Sequence, residues 1–163
     1  MYDGAVFEIK KGIPVREVQI HGRQTGFVPK LLVWAAVVVL AHFVIVIWHL
    51  ILLAKVQPST PRFALLLLVV INLLPVAALI VFVKGFRKLA GSMVIVPFVM
   101  ALVIGGYTHF VSAGTDNVFS MPPGGLRLPF QISAVLLSVL EALGCWLGLQ
   151  MLRVPEPIIR QAP

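Results

Sequence analysis

The stretch AHFVIVIWHLILLAK, residues 41–55, decides the fold. It ends an apolar run that begins at residue 31, and 31–54 exceeds the roughly 20 apolar residues that a bilayer core demands. Two imidazoles interrupt the run, His42 and His49, seven residues apart. At 100° per residue of helix they differ by only about 20° in direction. Ala35 and Val38 share their face, while Val, Leu and Ile cover the other side. A membrane helix with its imidazoles on one stripe turns that stripe toward other helices rather than toward lipid.

The rest of the chain follows the same pattern. It is 60% hydrophobic and 12% charged over 163 residues, where a soluble domain carries about 25% charged residues. Three more apolar runs reach span length, near 63–83, 89–111 and 129–152. The predicted fold is an all-α integral membrane protein. Residues 1–30 form a short cytoplasmic N-terminal segment, 31–152 an antiparallel bundle of four transmembrane helices, and 153–163 a cytoplasmic tail. The run before residue 31 is polar and the first apolar run exceeds the length of a signal h-region, so the first helix is expected to stay on the chain. Within the N-terminal segment, FEIKKGIPVREVQIHG (7–22) alternates in part and contains a KGIP turn signal, which suggests a short hairpin resting on headgroups or on another protein. Its His21 reads as a surface residue.

Basic residues orient the spans. Ten of the 13 lie on one side: Lys10, Lys11, Arg16, Arg23 and Lys30 before the first span, Lys84, Arg87 and Lys88 between the second and third, and Arg153 and Arg160 after the fourth. Only Lys55, Arg62 and Arg127 lie on the other. The positive-inside rule then places both termini in the cytoplasm and the 112–129 connection outside, in a bacterial inner membrane. The net charge of +7 is accounted for by this asymmetry, and no nucleic-acid partner is implied. The one cysteine, Cys145, excludes an internal disulfide and CxxC chemistry. In its apolar run it reads as a small packing residue.

Polar residues inside the spans fall into two layers. At 1.5 Å per residue, His42, Asn72 and Glu141 lie near the middle of their helices and form a candidate midplane site. His49 lies roughly 10 Å outward and His109 roughly 13 Å, with Asp116 in the loop beyond. This second layer is a candidate metal site, because two imidazoles and a carboxylate suit copper, zinc or iron. A haem b between His49 and His109 is also compatible with their depth. Glu141 carries most information, since an acidic side chain at the bilayer centre costs roughly 2.5–3.5 kcal/mol and is kept for function or held by a partner. Ala134, Ser138, Glu141, Cys145 and Gly148 mark its stripe on the fourth helix, with Gln131 near the outer end. Leu136, Leu140, Leu143 and Leu147 are expected opposite. Small residues on that stripe, with the Gly144/Gly148 pair, read as close helix packing. Pro75 and Pro97 lie near the middles of the second and third spans and read as kinks.

No GxGxxG, GxxxxGK[ST], GxSxG or HExxH signature occurs, so enzyme status stays open. Size and four-span layout resemble small membrane subunits of transporters and respiratory complexes, a likeness of shape that carries over no residue. The expected function is a small integral subunit of a larger redox or transport complex, with other membrane subunits or a homo-oligomer as partners in the bilayer. Two alternatives stand beside it: a metal- or haem-binding redox protein using His49, His109 and Asp116, and a proton-coupled carrier using Glu141 and His42.

Overall fold

Inside a bilayer every backbone N–H and C=O must be satisfied within the protein, and an apolar run does so by coiling into a helix. The computed structural model describes residues 27–56, 62–114, 116–121 and 123–156. Among these, every regular element is helical: α1 (Phe27–Val56), α2 (Arg62–Val83), α3 (Arg87–Gly106) and α4 (Arg127–Arg153). A π-helical turn, Tyr107–Val111, continues α3. Three helical stretches are long and apolar enough to cross a membrane: Phe27–Lys55, Arg87–Val111 and Arg127–Arg153. Within α2 the apolar stretch Leu68–Val83 is shorter.

Helix limits fall within a few residues of those expected. The first helix begins a turn early, so Phe27–Lys30 belong to α1 and not to the N-terminal segment. The expected hairpin at 7–22 and the last residues of the tail lie outside the described residues. Pro75 and Pro97 are buried within α2 and α3, which run on past them. α2 ends in a Schellman turn: Phe86 N donates to Val81 O at 3.2 Å and Gly85 N to Phe82 O at 3.0 Å. Gly85 takes the left-handed position, at φ 97°, which a side chain would strain.

α3 and α4 make the closest helix pair, and glycines set their separation. A Cβ on Gly144 would come within 2.4 Å of the Phe98 ring, and one on Gly148 within 2.6 Å of Ile95. One on Gly91 would lie 2.9 Å from Gly148 O. The expected packing role of Gly144 and Gly148 is thus realised against α3. α1 packs on the other side of α4, α2 packs on α3, and α1 also meets α2.

The buried face of α4 is Phe130, Ser133, Ala134, Leu137, Glu141, Gly144, Leu147, Gly148 and Met151. It is rotated from the expected stripe: Ser138 and Cys145 lie at its edge, and Leu147 belongs to the core. The reason is that α4 is flanked by α1 on one side and α3 on the other, so its buried arc is wide and centres between them.

Two apolar clusters result. One, at the end carrying Phe27 and Arg153 (the basic end), gathers residues that include Ala35, Val38, Phe82, Val94, Phe98 and Met151. The other, at the opposite (loop) end, joins Leu52, Phe130 and Ala134 to Val118 and Met121 of the connecting segment. That segment folds back over the bundle: Val118 N donates to His109 O at 2.9 Å, and Gln131 Nε2 donates to Val118 O at 2.8 Å. Between the clusters lies a layer containing His42, His49, Ser133 and Glu141, all buried.

Candidate functional site

At the centre of the layer α1 presents His42 and α4 presents Glu141. His42 Nε2 lies 3.6 Å from Glu141 Oε1, with side-chain exposures of 3% and 7%. This is ion-pair range but longer than a hydrogen bond. The His42 ring also stands edge-on to Phe98, with centroids 4.9 Å apart. Two turns toward the loop end, the His49 and His109 rings meet edge to face at 4.7 Å. His49 stacks on Phe130 at 4.7 Å as well.

Hydrogen bonds fix how both outer imidazoles are presented. Ser133 Oγ lies 2.8 Å from His49 Nδ1 and 2.8 Å from Phe130 O. A carbonyl oxygen only accepts, so the serine proton goes to Phe130 O and His49 Nδ1–H donates to Ser133 Oγ. In the neutral ring His49 Nε2 then carries a bare lone pair. His109 Nδ1 likewise donates to the backbone carbonyl of Asp116, at 3.0 Å.

These groups line one partly open cavity of about 200 Å³. His42, His49, His109, Thr108 and Glu141 supply its polar atoms, and the remaining wall is mostly Leu, Ile, Val and Ala. Gly105 keeps the wall low where it matters. A Cβ there would lie 3.9 Å from Glu141 Oε2 and 3.8 Å from His109 Cδ2, so carboxyl and imidazole face the same space. Sequence reasoning missed Ser133, Gly105 and Thr108. For Ser133 a signal existed: Ser133, Leu137, Glu141, Gly144 and Gly148 recur at helical spacing, sharing Glu141 and Gly148 with the expected stripe and lying one position before it elsewhere.

Asn72 does not join His42 and Glu141. Its Nδ2 donates back to Leu68 O, one turn earlier in α2, at 2.8 Å. The local carbonyl is always within reach of such an amide, and here it wins over a partner across the bundle. The Asn72 Oδ1 is buried with no hydrogen-bond partner. Replacing Asn72 by Leu, of similar size, removes that buried acceptor. Thermal unfolding in detergent is expected to show Asn72→Leu within about 1 kcal/mol of the parent or more stable. A larger loss would restore Asn72 to the central site.

The metal expectation fares differently. No group of three His, Cys, Asp or Glu side chains able to hold a metal forms among the described residues. His49 and His109 meet, and the contact of Asp116 with His109 runs through its backbone carbonyl. A bis-histidine haem fits no better, because a porphyrin must lie between its two imidazoles and these rings touch.

The chain matches no family model, and no curated protein or solved structure matches it either.

Proposed function

We propose that this chain is a four-span membrane protein whose central cavity is the proton- and ligand-binding site of a small proton-coupled carrier. Glu141 and His42 are the groups that exchange the proton. The observation that supports this most is the meeting of a buried carboxyl and a buried imidazole at 3.6 Å on the wall of a cavity. A carboxyl at such depth is expensive and is retained where it does chemistry or finds a partner. The 3.6 Å spacing leaves the pair within reach of a proton yet not locked in a hydrogen bond. In this reading α2 is the fourth span, since its 22 residues extend about 33 Å, against a hydrocarbon core of about 30 Å.

Proton flux tests the function. The chain, reconstituted in vesicles loaded with a pH-sensitive dye, should pass protons under a potassium diffusion potential, and empty vesicles should not. Equal traces would overturn the reading. Purification in mild detergent tests the subunit expectation, through stoichiometric partner proteins that copurify.

We further propose that both termini face the cytoplasm of a bacterial inner membrane, on the asymmetry of the basic residues. Cysteines introduced at Ser120 and at Glu156, each in a Cys145→Ala background, report the two ends; both positions are exposed. An impermeant maleimide on intact cells should label the first and not the second. The opposite pattern would invert the topology.

A further inference from the structure

The cavity has an acceptor that the fold leaves without a donor. His49 is 5% exposed, its Nδ1–H is spent on Ser133, and its Nε2 is buried with no hydrogen-bond partner. A buried polar atom left unpaired is destabilising, and a ligand supplying a donor would relieve it. Glu141 adds acceptor oxygens at the same cavity, and His109 presents its ring there with Nδ1 already engaged. The wall is otherwise apolar, so the complementary molecule is an apolar body with a hydroxyl donor.

Size and access narrow the class. A cavity of about 150 Å³ lined by aliphatic and aromatic side chains holds one benzene. At about 200 Å³ this one has room for a single substituted ring. Val46, Ile71, Ala101 and Leu137 are buried at its back, while Leu50, Leu53, Leu68 and Ile104 are partly or well exposed at its mouth. The mouth therefore opens between α1, α2 and α3, on the side of the bundle. The end of the bundle nearest His49 is covered, because Val118 and Met121 are buried against Leu52 and Phe130. A side opening faces hydrocarbon and admits neutral, lipid-soluble molecules in preference to ions.

We infer that the cavity binds a neutral, ring-sized molecule with a hydroxyl donor, of the phenol or hydroquinone class, which enters sideways from the bilayer and donates to His49 Nε2. This rests on the reading of the cavity as a ligand site. Two sources share the chemistry, a hydroquinone resident in the membrane and a small diffusible phenol.

The test is titration of the full chain in lipid nanodiscs by calorimetry, with empty nanodiscs subtracted. 4-Propylphenol should bind saturably at one site, and 4-propylanisole, the same ring without the donor, roughly tenfold more weakly. His49→Phe keeps the ring volume, and the Ser133 hydroxyl keeps its bond to Phe130 O. It should lower phenol affinity to the level of the anisole and leave the anisole unchanged. Ala101→Leu narrows the cavity from α3 and should weaken both. A decyl hydroquinone that binds more tightly than propylphenol identifies the membrane source, and the reverse order identifies the diffusible one. Equal binding of phenol and anisole, partition with no saturable component, or a phenol preference that survives His49→Phe would overturn the inference. Proton flux separates the two failures. Glu141-dependent flux without His49-dependent phenol binding sinks only the ligand class. Phenol binding without such flux sinks only the carrier reading.

Discussion

Gly144→Ala should loosen the bundle by about 1–3 kcal/mol, although it adds one methyl group and raises helix propensity. The added Cβ would sit 2.4–2.7 Å from three carbons of the Phe98 ring. Phe98 is fully buried and its ring packs edge-on against His42, so it has nowhere to retreat. The helices must part instead, and the packing between α3 and α4 goes with them. Gly91→Ala should also destabilise, because its Cβ meets backbone, Gly148 O at 2.9 Å. Gly106→Ala is the control: nothing lies within 4 Å of its Cβ. With no clash, the change should stabilise by about 0.4–1 kcal/mol through the unfolded chain. Thermal or SDS-driven unfolding of the three variants reads the order directly. If Gly144→Ala and Gly106→Ala behave alike, the glycine contacts do not set the helix separation.

Glu141→Gln should fold like the parent and carry no protons. The amide keeps the shape and polarity of the carboxyl but cannot release a proton, so proton flux in reconstituted vesicles should fall to that of empty ones. Glu141→Leu should in addition destabilise by roughly 1–3 kcal/mol, since His42 Nε2, which is buried and makes no hydrogen bond, then also loses the carboxyl within ion-pair range at 3.6 Å. His42→Leu combined with Glu141→Leu should recover part of that loss, because the stranded group is then gone as well. Undiminished flux in Glu141→Gln, with the variant folded, would remove Glu141 from the proton path. Equal stability of Glu141→Leu and the parent would show the pair to be unimportant for the fold.

Much of this architecture is legible from residue types and spacing. Hydropathy marks where the helices lie, because a bilayer admits few alternatives to them. The shared direction of His42 and His49 follows from helical geometry, and both prove buried alongside Ala35 and Val38. Equal depth on different helices suffices to bring His49 to His109. What the spacing cannot carry is competition among partners. Asn72 lies at the right depth, yet its own helix offers a nearer carbonyl. Asp116 lies at the right end, yet the turn of the loop presents its backbone to His109. The exact facing arc of α4 depends on which helices flank it, and one helix in isolation does not contain that information. Gly105 is hidden for the same reason: it matters only through neighbours, and Glu141 is on another helix.

The π-helical turn at Tyr107–Val111 makes the chamber depend on a count of residues as well as on their chemistry. Such a turn holds one residue more than an α-helical one. Removing Tyr107 or Thr108, which precede His109 in the turn, would leave charge and span length almost unchanged. It would nonetheless swing His109 by about 100° around the axis of α3, away from His49 and from the opening that Gly105 provides. Exchange among apolar residues in this segment should accordingly be tolerated, and insertion or deletion ahead of His109 should not. Length variation, harmless at most lipid-facing helix ends, would here disassemble the chamber without touching one of its side chains.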